Sequence, residues 1–373
     1  VTATLRRRTG FEIELMAPPG LSRRTLADDL AARCGGQVRP VWHHDSEPSL
    51  VPGLGRFLHL TQGFEVRRAD GRLVCTLVDD VTLLDGLDPR APAPPGPGFS
   101  APSVGPGVGS STVGWFRILS DDARLLALLA AHSDPGGVLA NALDDTAKLW
   151  GTTVQAVEDV YRLDDPAGIT IALAAPAGGE RERPCEIVTP PLTGDHGAAL
   201  EKLLGPAREL GFTVPLEAAV HLHLDGAPFR RPHALANVVR LFADWREPLR
   251  GLLQTNPNCR RLAPLPAPLV DAVRGAPTYD ELVRAAAAGE LSKFFDVNLT
   301  QLLKAKPLRN TLEVRILPGA IDTADIMNRA GLLELLLDAC MNPEPIPAPP
   351  ADPAQATEAL MHLAAGSMAR RAR

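Results

Sequence analysis

Aromatic side chains are scarce in this 373-residue chain: Phe, Trp and Tyr together make up 4% of it. So few rings give little for nucleic-acid bases to stack on, and a net charge of −6 offers no broad cationic footprint for a phosphate backbone. Neither feature fits a nucleic-acid-binding protein. Lysine is missing before Lys148, and the Arg-, Ala-, Pro- and Gly-rich composition is what a GC-rich genome encodes. Long apolar runs are also lacking: the longest, such as Leu125–Ala131, fall far short of the roughly 18 to 20 residues a membrane-spanning helix requires. The basic start, Val1 to Arg8, leads straight into a strand pattern without the apolar core or small-residue cleavage site of a signal peptide, so a cytoplasmic location is expected. The cysteines, five in number, are scattered and free of any C-x-x-C spacing. That argues against a disulfide framework or a cysteine metal site and for small buried filler.

What is present suffices for a full globular core, with 45% hydrophobic and 22% charged residues. The alternation predicts a strand over Phe11–Leu15, a helix over Ser22–Cys34 ending at Gly35-Gly36, and strands across Arg56–Leu84 with a turn at Asp70-Gly71. Pro89 to Gly109 is dominated by Pro, Gly, Ser and Ala and reads as a loop. Ser120 is expected to cap a helix over Asp121–His132, with further helices over Val138–Trp150 and Val154–Tyr161, so that 89–166 reads as a Pro/Gly-rich loop plus helical insertion in a single domain spanning 1–373. Strands follow at Ile169–Ala174, Cys185–Val188, Ala219–Leu224 and Asn310–Ile316. Helices are expected over Ala198–Leu210, Ala234–Leu253, Thr278–Ala288, Thr323–Cys340 and Ala354–Arg370. This inventory points to an α+β fold: a mostly antiparallel sheet with helices packed on one face.

Three of the predicted strands share an unusual pattern. Phe11-Glu12-Ile13-Glu14-Leu15, Val220-His221-Leu222-His223-Leu224 and Leu312-Glu313-Val314-Arg315-Ile316 each set an apolar face against an ionisable one. Side chains two apart on a strand lie on the same side, so each polar pair projects together. Any one of them suits an ordinary solvent-facing sheet surface. Together they carry Glu, His and Arg and lack the Thr, Lys and Ser of such a surface, which favours a concave acidic site. A fourth strand carries Glu186 and stops at Pro190-Pro191.

The ordered set G-F-E-I-E-L, C-E-I-V-T-P-P-L, H-L-H-L-D, F-F-D-V-N-L and T-L-E-V-R-I-L-P-G resembles the amidoligase family of the carboxylate–amine ligase superfamily, which includes glutamine synthetase and glutamate–cysteine ligase. The resemblance covers about 10–17, 70–84, 168–225 and 290–340, and implies a curved, mostly antiparallel sheet forming a glutamine synthetase-like funnel. It implies ATP and two or three Mg²⁺ or Mn²⁺ ions as cofactors, with Glu14 and Glu186 as ligands near the acyl substrate. Glu12, His221 and Glu313 would be ligands on the nucleotide side, His223 and Arg315 would contact phosphate, and Asn298 is the Asn expected before the E-V-R strand. The implied partners are ATP, a carboxylate and an amine, small molecule or peptide, with no membrane; oligomerisation is left open.

The chemistry supplies its own reason for these residue types. Mg²⁺ favours several hard oxygen ligands, and one imidazole makes Mn²⁺ a suitable substitute. An Arg stabilises charge on a transferring phosphoryl group. The competing reading takes His221, His223 and Asp225 as a zinc-hydrolase motif, although only His233 and His362 remain downstream as further imidazoles. Asp79-Asp80 suits either a substrate contact or a strand-end turn. His43-His44 reads as a surface loop, because adjacent strand residues cannot easily reach one ion.

Overall fold

The structure, a computed structural model, describes residues 3–48, 56–92, 114–259, 261–304 and 309–371. The loop expected over Pro89 to Gly109 lies outside the described residues from position 93 onward. The chain divides into two compact units: one comprises Val1–Glu14, Thr189–Arg208 and Leu216–Arg373, the other Leu15–Val188 and Glu209–Pro215.

In the first unit the strands stand in the order β11 (Val297–Asn298), β12 (Thr311–Pro318), β10 (Ala219–Asp225) and β1 (Thr9–Met16, of which the unit holds the part up to Glu14), all antiparallel. Alternation explains them: Phe11, Ile13, Leu222, Leu224, Leu312, Val314 and Ile316 are fully buried on one side of these strands. Along the other edge of β1, Thr189 and Leu192 bond to Phe11 and Thr9, so pairing continues past the double proline. The helix expected over Ala234–Leu253 is two helices, α5 (Pro232–Ala243) and α6 (Arg246–Leu253). The break falls at Asp244–Trp245, where the Trp245 indole donates to the Pro347 carbonyl at 2.8 Å. Near the chain's end, α10 (Thr323–Ala339) begins at Asp322, whose carboxylate accepts the Ala324 and Asp325 N–H groups. Its buried Glu334 accepts the Arg6 and Arg7 N–H groups and pairs with Arg371, tying both termini to one helix.

In the second unit the strand order is β9 (Pro184–Val188), β4 (Leu73–Val78), β3 (Arg56–Arg67), β5 (Phe116–Ser120), β8 (Thr170–Pro176), β7 (Val160–Asp164) and β6 (Val154–Val157), with β2 (Gln37–Pro48) paired along β3. Each unit therefore carries an antiparallel sheet that stays open among the described residues, and the α+β expectation holds. Helix α1 (Arg23–Cys34) has the expected start and stop: Ser22 forms a capping box with Thr25, and Gly35 ends the helix at a φ of 60°.

Two expectations for this unit fail. His43-His44 is no surface loop but part of β2, whose whole length pairs with β3 from Gln37↔Arg67 to Pro48↔Arg56. That stabilisation comes from a distant strand, and nothing local announces it past Pro40. The second is the helix expected over Val154–Tyr161, which lies in the β6–β7 hairpin; the described part of 89–166 holds the helices α2 (Ala123–His132), a short turn of 3₁₀ helix and α3 (Asp144–Leu149). Val154, Val157 and Tyr161 mimic helical spacing, but Glu158 takes a φ of 55° and Val157 pairs with Val160 across a two-residue turn. Ser120 ends β5 instead of capping α2; Asp122 is the cap, its carboxyl pushed down to about 2 by hydrogen bonds from Arg124. Helices α1 and α2 both pack on β3. Leu60 joins the α2 core with Phe116, Ile118 and Leu126, and Arg24 of α1 lies over the Phe64 ring, so the covered face is that of Leu60, Phe64 and Val66.

Candidate active site

Register places the chemistry of the first unit. Strand pairing aligns Gly10, His223, Glu313 and Asn298 in one row across β1, β10, β12 and β11, and sets Glu12 opposite His221 in the next. Arg315, two residues beyond Glu313, projects on the same side. Six residues expected from the E-x-E, H-x-H, E-V-R and V-N motifs thus lie on one polar sheet face within a single unit.

Their side chains form a connected network. His221 Nδ1–H donates to Glu12 Oε2 at 3.0 Å, and His223 Nε2 lies 2.9 Å from Glu12 Oε1. Asn298 donates to Glu313 Oε2 at 2.6 Å, while Arg315 is hydrogen-bonded to Glu313 Oε1. Asn298 is itself held, since its Oδ1 accepts both the N–H and the hydroxyl of Thr300. Glu14, 3% exposed, accepts the Ala219 N–H at 2.7 Å. A buried ionic network of this kind is stable only while its members are matched.

Electrostatics separate the two imidazoles. Burial lowers the His221 pKa, the Arg315 charge lowers it further, and the ring stays neutral despite Glu12. Burial acts in the same sense on His223, but the negative charge of Glu12 prevails and raises its pKa above the ordinary histidine value. Burial pushes the Glu12 carboxyl up, yet the charge of His223 and the hydrogen bond from His221 hold it well below the usual carboxylate range. Glu313 is likewise held down by Arg315 against the effect of burial, and Arg315 is raised by Glu313.

This donor set suits a divalent cation. Ligand atoms of Glu12, His223 and Glu313 lie within 4.8 Å of one another, two carboxylates and one imidazole. The His223 Nε2 atom is buried without a properly directed hydrogen bond, although Glu12 is near. With Nδ1 protonated and the ring neutral, the His221 Nε2 lone pair faces Glu14 Oε1 at 3.5 Å, a repulsion that a cation would relieve. The geometry groups His223 with Glu12 and Glu313, while His221 bridges Glu12 and Glu14.

Glu186 belongs to the second unit, buried on β9 opposite Val78. Asp79 in that unit is buried and paired with Arg181. Asp225 accepts the Ala227 N–H and an Asn310 amide, and the metal-sized group containing His223 does not include it. Arg230 serves the fold, bonded to Asn310, Tyr279 and the Leu302 carbonyl. Sequence reasoning gave no role to Asp296. Its carbonyl accepts the Arg315 N–H at 3.1 Å, and its buried carboxylate pairs with Arg246 and Arg250, anchoring the strand that carries Asn298. The signal is the D of F-F-D-V-N-L, two residues before Asn298.

A family model described as "putative amidoligase enzyme" matches residues 5–337. Searches of curated proteins and of solved structures returned no match.

Proposed function

Because the chain belongs to the amidoligase family, a family of ligase-type enzymes, we propose that it is an ATP-dependent carboxylate–amine ligase acting through an acyl phosphate. A substrate carboxylate attacks the γ-phosphorus of ATP and ADP leaves; an amine then attacks the acyl carbon, the C–O bond to phosphate breaks, and an amide and inorganic phosphate result. The observation that carries this reading is the cluster of Glu12, His223 and Glu313 with Arg315 beside it on one sheet face.

Glu12, His223 and Glu313 would hold a divalent cation, Mg²⁺ or Mn²⁺. Such an ion, when bound, neutralises charge on phosphoryl oxygens. The chain's own residues do the rest by position. Arg315 presents a guanidinium whose Nε is buried without a hydrogen bond, a donor suited to a phosphoryl oxygen. Asn298 fixes one oxygen of Glu313 and so aims the other, as His221 does for Glu12. The reaction requires no protein nucleophile; the contribution is orientation and preorganised charge.

The test is to incubate the purified chain with ATP, Mg²⁺, a panel of carboxylates and hydroxylamine as surrogate amine. Carboxylate-dependent release of ADP together with hydroxamate is expected, both lost in Glu313→Gln. ADP release without hydroxamate would mark a kinase, and no carboxylate-stimulated turnover across the panel would contradict the ligase reading.

A further inference from the structure

Within the second unit, strand alternation turns Thr61 of β3 to the face away from Leu60 and Phe64. There it lines a cavity of about 460 Å³, within the range of roughly 300 to 1,000 Å³ usual for small-molecule sites. Thr61 is 4% exposed, and its hydroxyl has no hydrogen-bond partner among the described residues. Buried hydroxyls are nearly always bonded, so one left without a partner at the wall of a cavity points to an occupant that carries a hydrogen-bonding group.

The ionised groups of the lining are already engaged. Arg181 pairs with the buried Asp79 and donates to the carbonyls of Leu83 (2.7 Å) and Asp80 (2.6 Å). Arg117, opposite Thr61 on β5, has a partner of its own within the protein. A charged occupant would therefore give up its hydration without gaining a counter-ion, and burial does not return that loss. Val81, Leu87, Pro89 and Pro176 make the remaining wall apolar, and Leu84, 49% exposed, extends it into solvent. Such a lining suits hydrocarbon with a single polar contact at its buried end.

We propose that this cavity binds a small uncharged amphiphile, an alcohol or a primary amide, with its polar group on the Thr61 hydroxyl and a short hydrocarbon chain along Val81, Leu84 and Leu87. The proposal is independent of the ligase reading, because binding is measured without nucleotide or metal and either can fail alone.

Calorimetry on the full chain would compare hexan-1-ol, butan-1-ol and hexanamide with hexanoate and hexylammonium. Hexan-1-ol and hexanamide are each expected to bind at least tenfold more tightly than either ion, and hexan-1-ol more tightly than butan-1-ol. Thr61→Val, which keeps the shape and removes the hydroxyl, should weaken hexan-1-ol about fivefold, whereas Thr61→Ser, which keeps the hydroxyl, should leave it within about twofold. In the absence of any probe, Thr61→Val should raise the melting temperature, because it removes an unbonded buried hydroxyl; a hydroxyl bonded within the fold would give a fall. Binding of either ion as tight as that of the neutral probes, indifference of hexan-1-ol to Thr61→Val, a lower melting temperature in that variant, or no binding of a neutral probe would each overturn the proposal. The comparison of neutral and charged probes uses the unaltered chain and decides without any variant.

Discussion

The polar sheet face of the first unit and that of the second solve opposite problems. In the first, Glu12, His221, His223, Glu313, Asn298 and Arg315 are bonded to one another across four strands, and charge is balanced by charge. In the second, Thr61, Arg117 and Arg181 line a cavity, and the pair of Asp79 with Arg181 stabilises its wall. One surface is a preorganised electrostatic device; the other is a container. A substitution in the first should therefore fall on chemistry, and one in the second on binding or on stability.

Glu313→Gln should break the first surface most severely. It removes the anion facing Arg315 while keeping side-chain size, so ATP turnover is expected to drop about 1,000-fold and the melting temperature to fall as well, because the buried Arg315 loses its counter-charge. Arg315→Lys comes next, at roughly 100-fold, because an ammonium cannot reproduce the planar fork; steady-state ADP release measures both. The second surface responds in stability. Asp79→Ala leaves the Arg181 guanidinium without its carboxylate, and urea unfolding should report a loss of about 2 kcal/mol. Asn298→Ala frees Glu313 from one of its two bonds, so a roughly tenfold fall in turnover is expected, with no rescue by Asn298→Asp, whose carboxylate cannot donate to Glu313.

The smallest effect sharpens the comparison by pH. In metal-free protein, nuclear magnetic resonance should find His223 titrating above the ordinary value of 6.5 and His221 below it. The stability that His223 contributes through Glu12 is complete below pH 6.5 and is lost as pH rises through its elevated folded-state value. His221 contributes in the opposite sense, stability being lost as pH falls below 6.5. His223→Gln should accordingly flatten the decline in melting temperature on the alkaline side, and an unchanged profile would count against the Glu12–His223 pairing.

The same contrast explains what the sequence disclosed. Glu12, Glu14, His221, His223, Glu313 and Arg315 were legible because a strand's period of two writes its polar face directly into the chain. Register was not: that His223, rather than His221, stands in the row with Glu313 depends on pairing between distant strands. The Thr61–Arg117 pair was invisible for the same reason, since 56 positions separate two residues that pairing sets side by side. Strand β2 and the β6–β7 hairpin were missed where local signals misled, through Pro40 in one and helix-like spacing of valines in the other. Helices with strong caps, such as α1 between Ser22 and Gly35, were placed to within a residue.

The central claim is that the Glu12–His223–Glu313 face serves a metal-dependent nucleotide reaction. The most direct test is calorimetric titration of ATP into the purified chain with Mg²⁺ present and again after chelation, beside the Glu12→Gln variant. The account predicts ATP binding that requires the metal and weakens at least tenfold in the variant. ATP binding indifferent to both, or no ATP binding with zinc retained stoichiometrically by the chain, would contradict it.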